Sequence, residues 1–243
     1  MDNAYSHLGK VFESLNADAD YPAWTEFILR TLQGYPHLTS GVDIGCGNGA
    51  FTRSLAKAGY DMLGADISPA MLQKAEELSR KEGTPCKYIL ADVTKLSLPH
   101  KLDFAVSVND CLNYVPPEKL ATALKRVRSS LKKGGIFLFD ISSEYKLRHK
   151  VGNNLFCDDA EDATCIWFTA LHENVLTLDV TLFLKQSDGS YVRADERHTQ
   201  YIHTEQEVLS ALEKSGFSVL SVTGHLGEDK AQSDRLNFLA VVR

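Results

Sequence analysis

Val42-Asp43-Ile44-Gly45-Cys46-Gly47-Asn48-Gly49 is the stretch where an apolar strand gives way to three glycines in five positions, and a helical pattern follows from Ala50 to Ala58. Glycine tolerates a left-handed backbone and lets a ligand lie against bare peptide groups, so the run reads as a cofactor loop between a strand and a helix. Its spacing is G-x-G-x-G, not the G-x-G-x-x-G of the dinucleotide fingerprint. Asp43, two residues before the first glycine, puts a carboxylate where a pyrophosphate would be repelled. It suits a ligand that carries an ammonium group.

Further along, Tyr60 to Ala65 reads as a second strand ending at Asp66, where a carboxylate can accept hydrogen bonds from both hydroxyls of a ribose. Ser68-Pro69 opens the next helix, serine as N-cap and proline in the first turn. A third strand, Cys86 to Leu90, runs into Ala91-Asp92-Val93, and a fourth, Leu102 to Val108, ends in Asn109-Asp110-Cys111-Leu112-Asn113-Tyr114. Lys132-Lys133-Gly134-Gly135 stops a helix before a fifth strand, Ile136 to Ile141. Near the chain's end come a helix over 204–215, opened by the T-x-x-E capping box of Thr204 and Glu207, and two strands, Phe217 to Thr223 and Leu236 to Val242. The last two lie too close for a helical crossover and should pair antiparallel.

An acidic residue before G-x-G-x-G, an acid ending strand two and a terminal antiparallel hairpin together resemble the class I SAM-dependent methyltransferases (SAM, S-adenosyl-L-methionine). The resemblance implies a doubly wound, mostly parallel seven-stranded sheet with an antiparallel last strand. It implies SAM as cofactor, with Asp43, Gly45, Cys46, Gly47, Asp66, Ile67, Asp92, Val93 and Asn109 around it; Asp92 would meet the adenine amino group. The end of strand four would face the methyl group and its acceptor. In similar enzymes a tyrosine-bearing N-terminal helix folds over the cofactor, a role open to Tyr5 and Tyr21, whereas Trp24 reads as core. A dehydrogenase reading falls with the terminal hairpin.

Between strand five and the last helix the α/β rhythm breaks into three strand-like runs, Thr164 to Leu171, Val175 to Lys185 and Tyr191 to His203, the last two joined by the turn Ser187-Asp188-Gly189-Ser190. We therefore divide the chain into a Rossmann-like SAM-binding domain, 1–152 and 204–243, and a small antiparallel β insertion, 153–203, as substrate lid. The third run is polar on both faces, which fits an edge strand or the wall of a wet cavity; the cavity is the preferred expectation. The insertion resembles that of small-molecule methyltransferases, amino-sugar N-methyltransferases among them. That implies Glu196, His198 and Tyr201 near the acceptor, Tyr201 only if the strand bends. Pairing of these side chains within their own sheet is the competing reading.

Methyl transfer from a sulfonium needs mainly an acceptor held in line and water excluded. Asn109, Asn113 and Tyr114 are candidates to position the acceptor, and His198 is the candidate base, since histidine titrates near neutrality unaided. The expected reaction is methylation at N or O of a small polar molecule. A SAM-binding protein without catalysis, acting as sensor or assembly factor, and a protein or RNA methyltransferase are the alternatives. The 243 residues, 44% hydrophobic and 24% charged, suffice for a sizeable core, and a net charge of −6 offers no field for a polyanion, so nucleic acid is a poor partner. Five scattered cysteines without C-x-x-C indicate neither a disulfide framework nor a zinc site, so no metal is assigned. No run is apolar enough to span a membrane, and Met1 to Tyr5 lack a signal-peptide pattern, so a cytoplasmic monomer or homodimer is expected.

Overall fold

The computed structural model describes residues 20–84 and 86–243; Tyr5 and the chain's first residues lie outside them. A seven-stranded sheet is built from β1 (Ser40–Ile44), β2 (Asp61–Asp66), β3 (Lys87–Leu90), β4 (Leu102–Ser107), β5 (Leu131–Ser142), β10 (Phe217–Thr223) and β11 (Arg235–Val242), in the order β10-β11-β5-β4-β1-β2-β3. Pairings among β1 to β5 are parallel, while β11 is antiparallel to both β5 and β10. The expected sheet, with its antiparallel last strand, is thus observed.

Both faces of the sheet are covered, and strand parity decides what goes where. Phe137, Phe139 and Ala105 face α4 (Pro117–Ser129) and α5 (Glu205–Lys214), packing with Leu124, Val127 and Leu212. Their neighbours Ile136, Leu138, Phe104 and Val106 face the other way, toward α1 (Tyr21–Gln33) and α2 (Ala50–Lys57), packing with Trp24, Ile28 and Leu55. Trp24 is core, as expected. The fifth helix, α3 (Pro69–Glu82), is capped by Ser68 Oγ accepting from Met71 N and packs on β2 and β3. At α5 the capping box forms: Glu207 N donates to Thr204 Oγ1 at 3.2 Å and Thr204 N to Glu207 Oε2 at 2.8 Å.

A second, four-stranded antiparallel sheet runs β6 (Leu155–Asp159), β7 (Ala163–His172), β8 (Val175–Lys185) and β9 (Tyr191–Tyr201) in sequence order. Strand β6 was not anticipated; its residues are mostly exposed and two are acidic, so it carries no apolar alternation. Strand β9 is an edge strand, and its pairing with β8 is unbroken from Tyr191 to Tyr201. The preferred expectation of a strand lining a wet cavity is therefore corrected. One face, with Ala194, Glu196, His198 and Gln200, is buried, and the other, with Arg193, Asp195 and Arg197, is exposed. Because the strand does not bend, Tyr201 lies on the opposite face from Glu196 and His198. Between β5 and this sheet, Lys146–Val151 forms one turn of π-helix.

Candidate active site

Strand β1 delivers the chain to the carboxyl edge of the sheet, where Gly45 N donates to Ala65 O at 2.7 Å and the backbone turns. Gly45, Gly47 and Gly49 all take positive φ, +72°, +54° and +78°, a region that penalises any other residue. Space separates their roles. A Cβ on Gly45 would sit 2.4 Å from Cys111 Sγ, and one on Gly49 would sit 2.5 Å from the Tyr88 hydroxyl, but one on Gly47 would meet nothing nearer than Met71 Cε at 3.9 Å. Gly45 and Gly49 make room for protein; Gly47 leaves room for something else.

The acidic residues divide in the same way. Asp66, at the end of β2, accepts from Gly47 N at 2.8 Å through Oδ2 and from Ser68 N at 2.8 Å through Oδ1, so it ties the glycine loop to the start of α3. Burial raises its pKa above the ordinary carboxylate range, against the pull of those N–H groups. Asp92 caps a short 3-10 turn through Oδ1, which accepts from both Thr94 N and Thr94 Oγ1 at 2.8 Å. Asp43 departs from expectation. Strand parity turns its carboxylate behind the loop, where Thr52 Oγ1 donates to it at 2.6 Å and burial pushes its pKa up to about 7. It does not line the cavity described below.

After β4 the chain passes through two consecutive non-glycine residues with positive φ, Asn109 at +62° and Asp110 at +53°, into the 3-10 turn Cys111–Tyr114. Asn113 is fully buried and spent on backbone: its Oδ1 accepts from Ser142 N at 2.8 Å and its Nδ2 donates to Tyr201 O at 3.0 Å. It joins the two sheets, and an acceptor cannot reach it. Tyr114 is partly exposed, and its ring packs edge-on against His198 with centroids 6.3 Å apart. His198 Nε2 lies 3.1 Å from Glu196 Oε2, both side chains almost fully buried. The Cys46 and Cys111 thiols are held neutral by burial, the latter pushed up to about 12, which fits packing and not nucleophilic chemistry.

These elements enclose a cavity of about 310 Å³, within the range of small-molecule sites. Of the residues expected around SAM, its lining includes Tyr21, Gly45, Cys46, Gly47, Asp66, Ile67, Asp92, Val93 and Asn109; Tyr114, expected near the acceptor, lines it as well. Glu196, His198, Asn113, Tyr201 and Asp43 do not line it. Cys111, in the segment after strand four, lines it too; Phe51, Met71, Pro116 and Lys119 also line it and were not anticipated, since nothing in their own sequence neighbourhood marks them as ligand-facing. Tyr21 belongs to this wall through packing on Phe51, ring centroids 5.4 Å apart.

The residues present fit SAM. The Gly47 position is one that a Cβ would fill, the Asp66 carboxylate stands at the end of β2 for ribose hydroxyls, and Ile67, 61% exposed, offers an apolar plate for a base. Among the described residues Asp92 Oδ2 takes no hydrogen bond, which suits it to an amino group.

A sheet of this order with this glycine site defines the class I SAM-dependent methyltransferase fold. The comparisons agree. The family described as a methyltransferase domain matches residues 42–135. YqeM of Bacillus subtilis, whose name assigns it to the methyltransferases, is 30% identical over 97% of this chain and 96% of its own. A SAM-dependent methyltransferase from Clostridium acetobutylicum superposes with a TM-score of 0.89 at 26% identity, covering 99% of each chain. The sugar N-methyltransferase KedS8 from Streptoalloteichus shares the fold with a TM-score of 0.78 at 20% identity, covering 100% of this chain and 94% of that one. The chain belongs to the SAM-dependent methyltransferases. Among the described residues no helix is long and apolar enough to cross a membrane.

Proposed function

We propose that this methyltransferase methylates a nitrogen or oxygen of a small polar molecule, and that residues 153–203 act as a unit covering the acceptor. The observation that carries the reading is Tyr114, which lines the cavity and also packs against the buried His198–Glu196 pair. It links the cofactor cavity to the second sheet. When bound, SAM supplies an electrophilic methyl group with a good leaving group, and the chain's own residues do the rest. Asn109 and Tyr114 orient the acceptor by hydrogen bonding, and the enclosing walls exclude water. The acceptor would be held in line with that methyl group, and because His198 is buried behind Tyr114 and outside the cavity, the acceptor's proton would leave to solvent with the product and not to that ring. Glu196 and His198, 3.1 Å apart, form a buried polar pair that supports the Tyr114 ring from behind.

The small-molecule reading is supported by the modest cavity and the net charge of −6, which favour no polymer of phosphates. The sugar N-methyltransferase among the fold neighbours points the same way. The test is incubation with SAM and separated pools of small metabolites, RNA and protein, following S-adenosylhomocysteine release and methylated product by mass. Product in the small-molecule pool is expected. Product only in RNA or protein would overturn the substrate class, and SAM binding with no product in any pool would favour a non-catalytic role.

A further inference from the structure

Asn109 and Asp110 are two consecutive side-chain-bearing residues in the left-handed region, at the point where β4 leaves the sheet and the cavity wall begins. Such conformations are unfavourable and persist only where the surroundings over-determine them. Here the surroundings come from elements remote in sequence, and all converge on Asp110. Arg235, the first residue of β11, donates from Nη1 to Asp110 Oδ1 at 2.9 Å and to Asp140 Oδ2 at 2.5 Å. Asp140, fully buried on β5, accepts from the Asp110 backbone N at 3.2 Å. Gln200 on β9 donates from Nε2 to Asp110 Oδ2 at 2.7 Å. The Arg235 guanidinium lies over the Trp24 ring, 5.7 Å from its centroid, so it is confined from above as well.

We propose that Arg235 is a positioning residue for methyl transfer: through Asp110 it holds the strained turn that sets Asn109 and Tyr114 against the reacting end of the SAM site. Gln200 brings the second sheet to the same carboxylate, so the placement of the insertion and of the turn are coupled. The end in question follows from strand order. Asp66 and Asp92 sit at the ends of β2 and β3, whereas Asn109 follows β4 on the far side of β1. With the nucleoside at β2 and β3, the sulfonium and its methyl fall between β1 and β4. Arg235 does not line the cavity, so its effect is transmitted. The inference rests on the cavity being the SAM site and is independent of the acceptor's identity.

The test uses the full chain and two ligands, SAM and S-adenosylhomocysteine, titrated calorimetrically against the wild type, Arg235→Met and Lys132→Met. Lys132 pairs with Asp103 at 2.7 Å at the opposite end of the sheet, so its variant controls for lost stability without touching the turn. For Arg235→Met, SAM affinity is expected to fall about tenfold, equivalent to about 1.4 kcal/mol, with S-adenosylhomocysteine changed much less. Lys132→Met should leave both ligands near wild-type affinity. Unchanged SAM affinity in Arg235→Met, or an equal loss for both ligands, would overturn the proposal, the second by showing a merely structural role. Should Arg235→Met fail to fold, Gln200→Met reads the same turn from the other sheet with the same criteria. A wild type that binds neither ligand would refute the cavity's assignment instead.

Discussion

Substituting Gly47 and Gly49 by alanine separates ligand contact from packing, because the two share a left-handed backbone and differ in what a Cβ would meet. Both variants pay the cost of placing a side chain at positive φ, roughly 1–2 kcal/mol. At Gly47 that is the whole cost to the fold, since the nearest atom is the flexible end of Met71 at 3.9 Å. At Gly49 the methyl would stand 2.5 Å from the Tyr88 hydroxyl and 3.0 Å from two of its ring carbons, and that hydroxyl is itself held by Ser79 at 2.8 Å. The added overpacking is worth about 1–3 kcal/mol. A chain of this size loses about 2–4 °C of Tm per kcal/mol, so Gly47→Ala should fall by roughly 2–8 °C and Gly49→Ala by clearly more. Ligand binding should be affected differently. The Gly47 methyl projects into the cavity, and SAM affinity should drop by at least about tenfold, ~1.4 kcal/mol, with Gly47→Val abolishing it. Differential scanning fluorimetry and calorimetric titration, run on both variants, give the four numbers. Wild-type SAM affinity in Gly47→Ala, or equal Tm losses in the two, would refute the division of labour among the glycines.

The acids and the histidine give further expectations. Asp43 has a folded pKa raised to about 7 from 3.8, so its contribution to stability is full below about pH 4 and is lost as pH rises toward 7. Asp43→Asn should remove on the order of 2–4 kcal/mol of that decline, and urea unfolding at several pH values should show the two curves diverging; parallel curves would sink the assignment. Asp66→Ala should weaken SAM binding by about 1–3 kcal/mol, losing both the ribose acceptor and the anchor of Gly47 N; wild-type affinity by titration would exclude that role. Once an acceptor is in hand, His198→Gln should lower turnover by less than about tenfold, because the ring supports Tyr114 and lies outside the cavity, and a loss of about 10² or more would restore the histidine to proton transfer.

The glycine loop, Asp66 and the terminal hairpin were legible because each is a local pattern: spacing within a few residues fixes the turn, the strand end or the impossibility of a crossover. Direction was less legible than position. Asp43 and Asn113 lie within motif segments, yet parity turns the first toward Thr52 and backbone partners absorb the second. Strand β9 announced itself as polar on both faces, but only the fold shows that Glu196 pairs with His198 on its inner face and that Gln200 reaches Asp110. Tyr88 and Arg235 were unreadable for a different reason. Their roles depend on contacts across long sequence separations, Tyr88 filling the space that Gly49 and Gly64 leave, Arg235 reaching back to Asp110 from the last strand. The missed strand β6 has neither alternation nor burial, and only its neighbour β7 makes it a strand.

The most direct test of the central claim is a thermal shift of the purified protein with SAM, S-adenosylhomocysteine and NAD, each at about 100 times an expected dissociation constant. A bound ligand at that excess adds about 2.7 kcal/mol, or roughly 5–11 °C for a chain of this length. SAM and S-adenosylhomocysteine should each raise Tm by that order, and NAD should leave it unchanged. Stabilisation by NAD alone would contradict the reading of the G-x-G-x-G loop and everything built on it.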